Sequence, residues 1–204
     1  MLKPRNNQRP YGIAVELPRW IVMTDEDRMP VSLDLVAALP FGSAVIIRNR
    51  DQEQSLADAR AVRELAARQG ITISVSLSSP ITGPLPTNGL HIPERSLVNW
   101  KASDLDRLQP GFITTSAHSR AAAWRGWCAG ADAVLLSPVF PTASHPEGQA
   151  LGLMRFAAIA GTCPFPIYAL GGVTMRSVRR MLRVGAQGIA GISLFTAPDD
   201  GAEK

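Results

Sequence analysis

Arginine, serine and histidine side chains stand at the ends of apolar runs that predict β-strands. Arg48 and Arg50 end one run, and Ser116 and His118 end another. Because side chains alternate between the two faces of a strand, the members of each pair point the same way. Guanidinium groups present a planar fork to phosphate oxygens, and hydroxyls and backbone N–H groups complete such sites. These pairs therefore predict a site for phosphate or pyrophosphate.

Two later segments end in groups that also suit an anion. One apolar run ends in Gly171-Gly172, the next contains Ile192-Ser193, and the helical pattern of residues 175–184 separates them. In a (β/α)₈ barrel the loops after strands 7 and 8 most often hold a substrate phosphate. We therefore predict that these two segments form a phosphate-binding site.

The same groups could also have purely structural roles instead of binding a ligand. The glycine pair could form only a strand-to-helix turn that requires positive φ. The two arginines could pair with Asp25 or Asp51 at the rim of the barrel, and the acids of residues 25–27 could cap their own loop. His118 could hydrogen-bond to backbone groups there.

Eight short apolar runs alternate with six helical patterns along the chain. This alternation predicts a parallel sheet, and eight units in about 200 residues predict an α/β protein with a single (β/α)₈ TIM barrel. A doubly wound open sheet is the alternative, although it more typically has five or six strands. The predicted strands are Trp20–Thr24, Ala44–Arg48, Ile71–Leu77, Gly89–Ile92, Phe112–Ser116, Ala133–Ser137, Pro166–Leu170 and Gly188–Ser193. The predicted helices are Leu33–Ala38, Ser55–Gln69, Ala102–Leu108, Arg120–Ala129, Leu153–Thr162 and Thr174–Val184.

One crossover of the predicted barrel is irregular. Residues 78–88 hold three prolines and a glycine where a helix would be expected. A proline inside a helix costs about 3 kcal/mol. We therefore predict a loop in this segment.

The 204-residue chain has the length of one domain. We assign residues 1–18 to an N-terminal extension, 19–196 to the barrel and 197–204 to a disordered tail. No apolar run reaches the roughly 18 residues of a membrane span, and the basic N-terminus lacks the apolar core of a signal peptide. We therefore expect a cytoplasmic protein with no membrane partner.

The net charge of +4 comes from an arginine-rich composition, with 18 arginines and three lysines. The arginines are spread along predicted helix faces without interleaved aromatic residues, which favours solvated faces over nucleic-acid binding. A positive chain also suits an anionic small-molecule partner. No lysine stands at a strand end, so Schiff-base aldolase chemistry is not expected. The sequence leaves a homo-oligomer open.

Several motifs give the chain a family resemblance over roughly residues 20–196. The strongest are Gly130–Thr142, Ala169–Val173 and Val184–Ser193. The sequence resembles the thiamine-phosphate synthase and thiazole tautomerase (TenI-like) superfamily. Its synthases join an aminopyrimidine diphosphate to a thiazole phosphate and release pyrophosphate. The resemblance therefore implies a (β/α)₈ transferase of thiamine biosynthesis that binds phosphorylated small molecules.

The resemblance also assigns roles to individual positions. It implies that pyrophosphate contacts Arg48, that Arg50 takes the place of a lysine, and that Ser116 lies near the leaving group. The thiazole-phosphate site and the hydroxyls of the strand-6 loop fall on Gly171, Gly172, Ile192, Ser193, Thr142 and Ser144.

The chain departs from the family pattern where the resemblance implies Mg²⁺. Alignment gives Ser76-Leu77 in place of an Asn-Asp pair and Ser96 in place of a second aspartate. Both expected carboxylates are missing, so we assign no metal ligand and no certain cofactor. Asp51 or Glu94 could substitute for them, since Mg²⁺ prefers hard oxygen ligands.

These departures leave three functions open. The first is the synthase reaction. The second is a metal-free, TenI-like reaction with His118 or His145 as acid and base, although Pro138 replaces the tautomerase histidine and His145 replaces a loop lysine. The third is a barrel that binds a phosphorylated ligand without catalysis.

Overall fold

The computed structural model describes residues 17–142 and 149–192, and within them eight parallel strands close into a barrel. Each strand pairs with the next, and β1 closes the barrel by pairing with β8. The predicted (β/α)₈ fold is confirmed. The strands are β1 Trp20–Met23, β2 Ala44–Ile47, β3 Thr72–Ser76, β4 Gly89–Ile92, β5 Phe112–Ala117, β6 Ala133–Leu136, β7 Ile167–Leu170 and β8 Gly188–Gly191.

In the described part of the chain, six α-helices surround the barrel, as the sequence predicts. Residues 78–88 form no helix, which confirms the loop expected from their prolines. The sequence pattern missed a 3₁₀ helix, Glu94–Asn99, which follows β4. The α-helices are α1 Leu33–Ala37, α2 Gln52–Arg68, α3 Ala102–Leu108, α4 Arg120–Cys128, α5 Gly152–Ala160 and α6 Met175–Arg183.

The inside of the barrel is apolar on one side and polar on the other. Interior residues of β1, β2 and β6–β8 form one buried cluster that includes Ile21, Ile46 and Tyr168. On β3, β4 and β5 the register aligns Ser76, His91 and Thr114. Because side chains alternate along each strand, this polar side leads to the ends of β3–β5. The ends of β3–β5 therefore offer hydrogen-bonding groups to a polar ligand.

Two further buried clusters lie between the barrel and its helices, and α2 and α4 pack closely against it. No helix among the described residues is long and apolar enough to cross a membrane. The predicted extension and tail fall almost wholly outside the described residues. The domain boundaries at residues 19 and 196 therefore stay predictions.

Candidate active site at the C-terminal rim of the barrel

A cavity of about 250 Å³ opens where β1–β4 end. Its lining includes Arg48, Arg50 and Arg95, the acids of residues 25–27, and the Ser76 and Ser78 hydroxyls. Pockets for drug-sized ligands span roughly 300–1,000 Å³. The cavity is therefore suited to a small polar group rather than to a large apolar ligand.

Asp25 joins Arg48 to the loop that follows β1. Its Oδ2 atom lies 2.7 Å from Arg48 Nη2 and 3.1 Å from Arg28 Nη2. The pKa of Asp25 is lowered to about 2, mainly by the hydrogen bond from the Arg28 side chain. The Arg28 backbone N–H and the Arg48 side chain also lower it, and burial acts in the opposite direction. The ion pair offered as an alternative for Arg48 is therefore formed, and Asp25 is its partner.

Arg50 is held by the next two acids of the same loop. Its Nη1 atom lies 2.6 Å from Glu26 Oε1, its Nη2 atom pairs with Asp27, and its backbone N–H donates to Glu26 Oε2 over 2.9 Å. The acids of residues 25–27 thus do more than cap their loop, since they also hold two of the cavity's arginines, Arg48 and Arg50.

Glu94 gathers the groups at the ends of β4 and β5. Its backbone N–H donates to Ser116 Oγ over 3.0 Å. Its Oε2 atom lies 2.8 Å from His118 Nδ1 and accepts the His118 backbone N–H, and Oε1 accepts from Arg125 Nη2 over 2.9 Å. The structure therefore brings Ser116 and His118 together through a carboxylate that the sequence did not connect to them.

His91 lies below the rim, inside the barrel. It is buried, and its Nδ1 atom lies 2.9 Å from Thr114 Oγ1. Burial, with a contribution from the charge of Arg48, lowers its pKa to about 3. His91 is therefore neutral at physiological pH and belongs to the polar interior.

Gly171-Gly172 forms the tight turn offered as an alternative, with φ of +88° and +65°. A Cβ at Gly171 would lie 3.0 Å from Pro138 Cα, and one at Gly172 would lie 2.5 Å from the Pro141 carbonyl oxygen. Phe140 N–H donates to the Gly171 carbonyl over 3.0 Å. The glycines are therefore required by the turn and by the loop after β6, whether or not a phosphate also binds.

The other predicted site residues are only partly described. Thr142 is half-buried and lies in the loop after β6, next to the segment 143–148 that is outside the described residues. Ile192 directly follows β8 and packs against the interior of the barrel. Ser144, His145 and Ser193 lie outside the described residues, so their roles stay predictions.

The two carboxylates considered as substitute Mg²⁺ ligands each contact other groups. Asp51 caps α2 by accepting the Glu53 N–H over 3.0 Å, and Glu94 is bound to His118 and Arg125. Ser96, where the resemblance implies an aspartate, is buried. Over residues 17–142 and 149–192, no group of three or more His, Cys, Asp or Glu residues is arranged to hold a metal ion. Asp51 and Glu94 therefore each have another partner in this structure.

Comparison with known proteins places the chain in a family. The family model described as "Thiamine monophosphate synthase" matches residues 21–195. "Putative thiamine-phosphate synthase 2" of Aquifex aeolicus (strain VF5) is 34% identical over 187 residues, which cover 89% of this chain and 99% of the relative. A thiamine-phosphate synthase of Methanoculleus marisnigri (strain ATCC 35101 / DSM 1498 / JR1) is 32% identical, covering 88% of each chain.

A solved structure shares the fold. The thiamine phosphate pyrophosphorylase from Pyrococcus furiosus superposes with a TM-score of 0.70 at 20% identity, covering 90% of this chain and 89% of that one. This structural likeness supports the fold, and the sequence matches show the family. The chain belongs to the thiamine monophosphate synthase family.

Proposed function

We propose that the chain is a transferase that joins an aminopyrimidine diphosphate to a thiazole phosphate, forming thiamine phosphate and releasing pyrophosphate. The main supporting observation is that Arg48 and Arg50 line one cavity at the barrel rim. The family resemblance assigns Arg48 to pyrophosphate and places Arg50 where the family has a lysine. Matches along nearly the whole length of relatives named thiamine-phosphate synthases add support.

In the proposed reaction, the carbon–oxygen bond between the pyrimidine's methylene group and its diphosphate breaks. Both electrons leave with pyrophosphate, and the electron-poor carbon is captured by the thiazole. Negative charge grows on the leaving oxygens, so Arg48, Arg50 and Ser116 stabilise the transition state by donating hydrogen bonds. A guanidinium has five N–H donors. Among the described residues the Arg48 side chain donates only to Asp25, so further donors remain for an anion.

The acceptor is proposed to bind on the other side of the rim. There, Gly171, Gly172, Ile192 and Ser193 hold its phosphate, and Thr142 and Ser144 add hydroxyls. Holding both reactants in one site removes much of the entropic cost of their encounter. The proposed partners are thus two phosphorylated small molecules, and a cytoplasmic location suits them.

The test supplies both substrates and measures thiamine phosphate and pyrophosphate, with and without Mg²⁺. The wild-type protein should form both products, and Arg48→Gln should lower kcat by about 100-fold, the usual cost of one transition-state donor. Arg179→Gln, which changes an exposed arginine on α6, should leave the rate unchanged. If neither product formed, with Mg²⁺ or without it, the synthase reaction would be excluded.

The contact between Glu94 and His118 favours a second candidate, a metal-free proton-transfer reaction on a thiazole-phosphate-like ligand. A carboxylate bound to Nδ1 orients an imidazole for acid–base chemistry. In this case the protein should exchange solvent deuterium into a bound thiazole phosphate, as followed by NMR, and His118→Asn should abolish the exchange. Binding without exchange and without synthase turnover would instead support the non-catalytic barrel.

A further inference from the structure

Arg95 is the guanidinium of the cavity that has no carboxylate partner among the described residues. It lines the same cavity as Arg48 and Arg50, and it is exposed. Within residues 17–142 and 149–192 it makes no hydrogen bond or ion pair, whereas both of the other arginines are held by acids. Neither the strand-end pattern nor the family resemblance pointed to this residue.

The other charges around the cavity balance one another, which leaves the positive charge of Arg95 unbalanced among the described residues. The three acids of residues 25–27 are matched in number by Arg28, Arg48 and Arg50, which pair with them. This network is neutral as a unit. Among the described residues that line the cavity, Arg95 therefore supplies the positive charge that no acid balances, and this charge can attract an anion.

The geometry of the 3₁₀ helix after β4 explains why Arg95 faces the cavity and the neighbouring Glu94 faces elsewhere. With three residues per turn, successive side chains point about 120° apart. Glu94 reaches His118 and Arg125, Arg95 lines the cavity, and Ser96 is buried. The segment where the resemblance implies a metal-binding aspartate thus presents a cation instead.

At the neighbouring end of β3, too, the residues present differ from the metal-binding residues that the resemblance implies. Ser76 and Ser78 line the cavity with hydroxyl groups, near the position where the resemblance implies an Asn-Asp pair. Hydroxyls can donate to phosphate oxygens but supply little affinity for Mg²⁺. Both segments therefore present groups that bind an anion where the resemblance implies groups that bind a metal.

We propose that Arg95 supplies the positive charge that Mg²⁺ would supply, so that the cavity binds a diphosphate without a divalent cation. A guanidinium binds phosphate oxygens through two parallel hydrogen bonds and needs no metal bridge. The Ser76 and Ser78 hydroxyls complete the contacts. The proposal rests on the proposed function, in which the donor substrate carries a diphosphate.

The test measures binding of inorganic pyrophosphate to the full-length protein by calorimetry, in EDTA and in excess Mg²⁺. The dissociation constant in EDTA should lie within about twofold of that in Mg²⁺. Arg95→Gln should weaken binding by about tenfold or more, as expected for a charge-assisted hydrogen bond. Arg179→Gln serves as the matched control and should not change it.

Three results would overturn the inference: pyrophosphate binding that requires Mg²⁺, binding unaffected by Arg95→Gln, or no binding at all. A parallel assay of thiamine phosphate formation in EDTA separates this inference from the proposed function. Metal-free pyrophosphate binding without product would overturn the synthase reaction alone. Product formed only with Mg²⁺ would overturn the role of Arg95 alone.

Discussion

At the scale of the residue, Asp25 holds Arg48 at the edge of the cavity. It accepts from Arg28 and Arg48, and its own loop also folds around it, because Oδ1 accepts the backbone N–H groups of Asp27 and Arg28. One carboxylate therefore stabilises the loop after β1 and orients a residue after β2. Loss of its charge should affect both.

We predict that Asp25→Asn lowers the free energy of unfolding at pH 7 by about 1 kcal/mol. A pKa lowered from 3.8 to about 2 corresponds to about 2.4 kcal/mol. The exposed fractions of the Arg28 and Arg48 side chains, 43% and 42%, reduce this through solvent screening. Urea denaturation measures the change.

The pH dependence of the same variant gives a sharper test. A carboxylate with a lowered pKa stabilises the folded state above pH 4, and this contribution disappears as the pH falls through about 2. The wild type should therefore lose more stability than Asp25→Asn over this range. Asp34→Asn, an exposed change in α1, should follow the wild type. Parallel curves for wild type and Asp25→Asn would contradict the assignment.

The residues that carry charge at the rim were only partly predictable. Arg48 and Arg50 were identified because strand periodicity and position suffice to place them at the end of β2. Their partners were not, since choosing between Asp25 and Asp51 requires knowing that Asp51 caps α2. Arg95 was missed because it lies on a short 3₁₀ helix with no periodic pattern to reveal which side chain faces the cavity.

At the scale of the element, Gly171-Gly172 joins β7 to α6 and lets the loop after β6 approach. Gly172 combines positive φ with a space too small for a side chain. Gly42 has a similar φ of +75° but nothing within 4 Å of an added Cβ. The two positions therefore separate the cost of backbone strain from the cost of a steric clash.

We predict that Gly172→Ala destabilises the protein by at least about 1 kcal/mol more than Gly42→Ala. A non-glycine residue with positive φ costs about 1–2 kcal/mol, and both variants bear this. Only Gly172→Ala also forces its methyl group against the Pro141 carbonyl. Thermal or urea denaturation compares them. Equal losses would show that the loop after β6 yields to the methyl group.

Element boundaries follow the sequence closely where local signals are strong. Strand β4 and helix α3 have the predicted bounds. Helix α2 begins at Gln52 rather than Ser55, because the Asp51 side chain accepts the Glu53 N–H and starts the helix earlier. The 3₁₀ helix Glu94–Asn99 could not be predicted, since six residues are too few to show a helical periodicity.

At the scale of the whole molecule, the two ends of the barrel have different tasks. The C-terminal rim holds the charged network, and the opposite end closes the chain on itself. There Tyr168 of β7 is fully buried and donates to the Pro18 carbonyl over 2.6 Å, and Ile189 N–H donates to the Arg19 carbonyl over 3.1 Å. These bonds tie β7 and β8 to the segment that precedes β1. Stability and binding should therefore be separable by mutation.

We predict that Tyr168→Phe lowers the free energy of unfolding by about 1 kcal/mol, because one buried hydrogen bond is lost and the Pro18 carbonyl is left without its donor. Burial raises the pKa of Tyr168, so the unfolded chain releases this proton first and the wild type should lose stability as the pH rises past 10. Tyr168→Phe should lose less over that range.

Pyrophosphate binding to Tyr168→Phe, measured by calorimetry, should stay unchanged because Tyr168 makes its hydrogen bond at the end of the barrel opposite to Arg95. Weaker binding at unchanged stability would contradict this division between the two ends.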